Sequence, residues 1–139
     1  MTIYGIGAHF DKEDLSGKFK NEGIIGIIWK ETEALELHQM IQSLKVGDIV
    51  YIKSFSPSSP DIIIKGISII LDNEITSDKI VKIKRSVKWI DDSEFRITKD
   101  KVKEKNNVRN NAMYEEFHPV IQKEILKRIP INISTPVKN

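Results

Sequence analysis

The sequence predicts an α+β domain built on a mixed or closed β-sheet with helices packed at its edges. Two observations carry this. The order of elements is strand, helix, strand, helix, then several strands in succession, then a helix. Consecutive strands without intervening helices argue against a doubly wound parallel sheet. The 139 residues contain no cysteine, yet they are enough for one core without covalent staples.

The first strand is expected in "TIYGIG", residues 2–7. A short helix follows in "DKEDLSGKFKNEG", with Asp11 as its cap, Leu15 and Phe19 on one face and Gly23 as its stop. "GIIGIIW", residues 23–29, is a compact, β-branched run that reads as a buried strand ending in Trp29. Gly26 in its middle marks a bulge or a close backbone approach. "ETEALELHQMIQSLK" places Leu37, Met40, Ile41 and Leu44 at helical spacing. Glu31 and Glu33 are expected in its first turn and Lys45 in its last.

Strands are then expected over 48–55 and 61–72, joined by the proline-bearing loop "SPSSP". That loop suits a fixed rim or a protected connection equally. The second strand is apolar on both faces and is placed centrally. In residues 79–90, Val81, Ile83, Val87 and Trp89 share one face and Lys82, Lys84 and Lys88 the other. Arg85 falls on the apolar side, at a bulge or facing a cleft. "EFRIT" is one more short strand, and residues 99–111 form a polar loop. "HPVIQKEILKRIP" is a closing helix between two prolines, with Ile121, Ile125 and Ile129 inward. One domain is expected over 1–133, with a tail at 134–139.

Charge is uneven. Residues 1–78 hold seven Lys and Arg against twelve Asp and Glu, and residues 79–139 hold fifteen against eight. A basic second half suits contact with a polyanion; the plainer alternative is a solvated surface. No apolar run reaches the ~18 residues of a membrane span, and the N-terminus lacks the pattern of a signal peptide. A cytoplasmic setting is expected.

Catalytic motifs are absent from the sequence. "YGIGAHF" fails as a dinucleotide loop, because Phe10 occupies the third glycine position and Asp11, Glu13 and Asp14 follow. There is no Walker loop, nucleophile elbow or triad. His9, His38 and His118 are not at metal-ligand spacing, and no metal or cofactor is expected. His9 ends a strand, where ligands often bind, and an exposed loop histidine is the plainer alternative.

The aromatics point elsewhere. Tyr4, Phe10, Trp29, Tyr51, Phe55, Trp89 and Tyr114 fall mostly at strand ends, near Lys53, Arg85, Arg109, Asn110 and Asn111. A nucleobase is held by stacking on a ring and by hydrogen bonds to its edge, and these residues supply both kinds of group. Trp89 shares its face with Val81, Ile83 and Val87 and reads as core. Trp29 is divided evenly between core and site. Lys82, Lys84 and Lys88 form a stripe able to meet phosphates.

Taken in order, "YGIGAHF", "EGIIGIIW", "LKVGDIVYIKSF", "IIIKGISIILDNE", "VKWI" and "VRNNAMYEEFHPVIQKEI" resemble the PUA-like superfamily, specifically its EVE-like branch. That branch is related to YTH readers and to DNA-binding modules of modification-dependent restriction systems. The resemblance spans nearly the whole chain. It implies a small, mixed, partly closed β-barrel with flanking helices that binds DNA or RNA, often taking a modified, flipped base into an aromatic-lined pocket.

Carried over by position, it assigns Trp29, Lys53–Ser54–Phe55, His9 and Phe10, and Arg109 with Tyr114 to that pocket. Asn110 stands beside them. A complete aromatic cage of the YTH kind is not found, and "SFSPSSPD" replaces a shorter family connection. The resemblance further suggests a role in defence between bacteria and phage. Two alternatives share the pattern. One is an ASCH-like hydrolase of modified nucleosides or RNA, using Lys53 and a nearby carboxylate. The other is a non-catalytic accessory domain with a protein partner or a second copy.

Overall fold

The computed structural model describes residues 1–10, 13–56, 59–98 and 112–130, with the side chains of 55, 56, 59 and 60 outside that description. The chain opens with β1 (Ile3–Gly7), a small antiparallel hairpin of β2 (His9–Phe10) and β3 (Glu13–Asp14), α1 (Ser16–Glu22), β4 (Ile24–Ile27) and α2 (Leu35–Ser43). It continues through β5 (Ile49–Ser56), β6 (Ser59–Ile70), β7 (Ile83–Asp91), β8 (Phe95–Ile97), β9 (Met113–Glu115) and α3 (Pro119–Leu126).

One sheet runs in the order β4-β7-β6-β5-β1-β9, with β8 paired to β6 off that path. Strands β1 and β5 are parallel, with Gly7 opposite Lys53. The other pairs are antiparallel. Strand β6 pairs β8 along Ile62–Ile64 and β7 along Ile67–Ile70. At Lys65 its register with β5 shifts, because Ile52 faces Gly66 while Lys53 faces Ile64. The extra residue bends the strand and curls the sheet. The result is the mixed α+β architecture with a partly closed sheet that the sequence predicts.

Each face of the sheet has its own core. Ile6, Val50, Ile52 and Ile70 on one face pack with Phe19 of α1 and Ile41 of α2. Ile3, Ile49, Tyr51, Ile64 and Ile67 on the other pack with Ile121 and Ile125 of α3. Alternate residues of β5 therefore enter different cores, the period-two rule of a strand buried on both sides. Each buried isoleucine contributes roughly 1.5–3 kcal/mol relative to an exposed one.

Several boundaries differ from expectation, each for a local reason. Helix α2 starts at Leu35, leaving Glu31 and Glu33 in the preceding turn, where the Glu33 carboxylate accepts from the Lys30 amide. Lys45 lies beyond its end. Strand β7 starts at Ile83 because Asp78 accepts from the amides of Ile80 and Val81 and turns the chain there. Helix α1 starts at Ser16, whose amide is taken by Asp14; Asp11 lies outside the described residues. Gly23, at φ 65°, ends it as expected. Strand β9 and the β2–β3 hairpin add pairings that periodicity does not reveal. They are two or three residues long, too short to display a repeat.

Arg85 is fully buried. Its guanidinium donates to the Ile41 carbonyl at the end of α2 and to the Asp72 carbonyl, both at 2.8 Å. It ties α2 to the loop after β6. Trp89 is half-buried against the first core and donates to the Phe19 carbonyl at 3.0 Å, in agreement with the core assignment. No described helix is long and apolar enough to cross a membrane.

Candidate nucleic-acid interface

Trp29 is positioned by how tightly β4 lies on its neighbours. A Cβ on Gly26 would come within 2.4 Å of the Ile83 carbonyl and a Val81 methyl, so only glycine permits this approach. Strand β4 ends at Ile27, whose carbonyl accepts from the Lys82 amide at 2.8 Å. Two residues later Trp29 emerges, 37% exposed, with its ring edge-on to Phe10 at 5.1 Å and 89°. Phe10 itself is buried.

His38 fixes the backbone at this point. Its Nε2 lies 2.6 Å from the Trp29 carbonyl. A carbonyl only accepts, so Nε2 carries the proton and donates. Beside these residues lies an open cleft of about 400 Å³, lined by Lys30, Glu31, His38, Gln42, Thr76, Ser77 and Lys82 among others.

The opposite face of the sheet holds a closed polar cluster. The rings of Tyr51 and Tyr114 meet edge-on at 6.4 Å, over a Gly5 that has no room for a Cβ. Their hydroxyls are 2.9 Å apart, and the Tyr51 hydroxyl donates to the Glu116 carboxylate. The other Glu116 oxygen accepts from the His118 amide at 3.0 Å. Burial above all, with Tyr114 and Glu116 adding to it, pushes the Tyr51 hydroxyl well above its ordinary pKa. The Lys53 amine sits 5.1 Å from the centre of the Tyr114 ring, and Lys53 is buried.

The structure thus divides the expected pocket. Phe10 and Trp29 stand together on the α1–α2 face. Lys53 and Tyr114 stand together on the α3 face. Ser54, half-buried, lies opposite Ile63 in the β5–β6 ladder. His9 is exposed on the β2–β3 hairpin opposite Asp14. The Phe55 side chain, Arg109 and Asn110 lie outside the described residues.

The lysine stripe is divided as well. Lys82 lines the cleft and donates to the Lys79 carbonyl. Lys84 pairs with Asp78 at 3.2 Å, and Lys18 shares the same carboxylate at 3.7 Å. Lys88 is exposed on β7. The sequence gives no sign of Lys30, His38 or Glu116 as members of either group, and it offers Tyr51 only as one of the strand-end aromatics. His38 meets Trp29 across 9 residues and Glu116 meets Tyr51 across 65, and only the fold joins these pairs. Among the described residues, no group of three or more His, Asp or Glu is placed to hold a metal ion.

No family model and no curated protein matches this chain. Solved structures do. One is Rpa0253 from Rhodopseudomonas palustris, determined by NMR, with a TM-score of 0.53, 13% identity and 92% of each chain covered. Another is the YTH domain of the Zygosaccharomyces rouxii MRB1 protein, solved in complex with N6-methyladenosine RNA. It has a TM-score of 0.55 and 16% identity, covering 96% of this chain and 86% of that one. At these identities the likeness concerns the fold: a mixed α+β domain of YTH/PUA-like architecture.

Proposed function

We propose that the protein is an RNA-binding module that stacks a modified base on Trp29. One observation carries this: a large ring left 37% exposed where β4 ends, braced edge-on by Phe10 and held through its carbonyl by His38. A core tryptophan would be covered, and a mobile surface one would lack both braces. The fold adds support, because the similar YTH domain was solved with N6-methyladenosine RNA.

The energetics require more than the ring. Extruding a base costs a few kcal/mol, least from a single strand, and one aromatic stack returns roughly 1–3 kcal/mol. Phosphate contacts must supply the remainder. Ser54, His9 and the segment containing Arg109 and Asn110 are the further groups proposed for the base edge. A role in defence against phage rests on the family resemblance alone.

The test is titration of single-stranded RNA, with and without one N6-methyladenosine, and of DNA of the same sequence. Trp29→Ala should weaken binding of the methylated strand roughly fivefold to 150-fold, the loss of one stack. A folded Trp29→Ala protein that binds that strand as well as the parent would overturn the proposal.

A further inference from the structure

We infer that the cleft between Lys30 and Lys82 is a phosphate site for the nucleotide next to the base on Trp29. This assignment rests on the function proposed above and gives it the backbone contact that its energetics require.

Position is the first argument. The cleft adjoins Trp29 through three separate links. Lys30 is the next residue. His38, in the cleft lining, holds the Trp29 carbonyl. Lys82 is bonded through its amide to Ile27, two residues before Trp29. A strand with one base on that ring would carry its neighbouring phosphate along this wall.

Charge is the second argument. Lys18, Lys65 and Lys84 each form ion pairs with aspartates, so their charge is met within the protein. Among the described residues, neither Lys30 nor Lys82 has a carboxylate within ion-pair distance. Among the described residues Lys82 donates to a main-chain carbonyl, a contact a phosphate oxygen readily replaces. Thr76, Ser77 and Gln42 add neutral groups of the kind that meet phosphate oxygens. Among the described residues of the lining Glu31 is the one acid, and it opposes an anion there.

Rigidity is the third. Thr76 is bonded to Lys84 by both backbone links, at 2.9 and 3.2 Å, which fixes the far wall of the cleft to β7. Asp78 holds the following turn through the amides of Ile80 and Val81 and through Lys84. The walls are therefore set before a ligand arrives, and little ordering cost falls on binding.

Salt dependence of binding separates this site from the aromatic one. The probe is a short single-stranded RNA, methylated or not, titrated at several salt concentrations. Lys30→Ala and Lys82→Ala should each lower the slope of log K against log salt by roughly 0.7. Both should weaken the two strands equally, leaving the preference for the methylated one intact. Glu31→Gln should tighten both strands. Trp29→Ala should remove the preference and keep the slope. Lysine variants with the parent slope would overturn the phosphate site while leaving the Trp29 reading standing. A parent protein that binds neither strand would overturn the function and this assignment with it.

Discussion

The two faces of the sheet use the same residue types in opposite ways. On the α3 face, Tyr51, Tyr114 and Glu116 are buried and bonded to one another, and Lys53 lies over a ring. On the α1–α2 face, Trp29 is left partly exposed beside an open cleft whose two lysines have no described carboxylate partner. Buried polar groups that are fully satisfied specify a structure, whereas polar groups left for solvent remain available to a ligand. Each face carries a core, but the polar and aromatic groups of the α3 face should serve stability, and Trp29 and the cleft lysines binding.

The comparison breaks most visibly at Glu116. Glu116→Ala removes the acceptor of the Tyr51 hydroxyl and of the part-buried His118 amide. One of the two paired tyrosine hydroxyls is then left without an acceptor, and an orphaned buried donor costs about 1–3 kcal/mol. Urea unfolding should show a loss of about 1–3 kcal/mol, with RNA affinity unchanged at temperatures where the variant is folded. Trp29→Ala should show the reverse, a lost stack with a melting profile close to the parent's.

Alkaline unfolding sharpens the contrast. In the unfolded chain a tyrosine titrates near 10, but in the folded protein Tyr51 is held above that. Above pH ~10 the unfolded state sheds a proton that the folded state retains. The stabilising contribution is complete below that pH and declines as pH rises. Tyr51→Phe should flatten this decline, measured by urea midpoints between pH 8 and 11.

The smallest effect belongs to Asp14, on the exposed hairpin. Burial raises its pKa, but the Ser16 amide and the Lys65 ammonium outweigh it and hold the carboxyl at about 2. Stability linked to it is present above the unfolded value near 3.8 and falls as pH drops toward 2. Asp14→Asn should remove a slight acid slope, slight because solvent screens the pair.

Much of this fold was legible in the sequence. Long strands and helices announce themselves by pattern, as in the largely apolar run of 61–72, the alternation of 79–90 and the helical spacing of Leu37 to Leu44. Gly26 was legible as a bulge or a close approach, and the structure shows the close approach, with the β4–β7 register unbroken. The two-face division was implicit in β5, where Tyr51 and Ile52 alternate. Assigning Lys53 and Trp29 to one pocket required their partners, which the sequence does not reveal. Lys53 follows Tyr51 in the alternation and so lies on the Tyr114 side of the sheet. His38 looks like a mid-helix residue until α2 is packed beside the end of β4. Lys84 looks like its neighbours in the stripe until Asp78 is placed against it.

The most direct test is the preference for methylated over unmethylated RNA, measured side by side in Trp29→Ala and Tyr114→Phe. If the α1–α2 face binds the base, the preference disappears in the first variant and survives in the second, which loses only the hydroxyl bonded to Tyr51. Preference that survives without Trp29 and disappears without the Tyr114 hydroxyl would contradict this account and move the site to the α3 face.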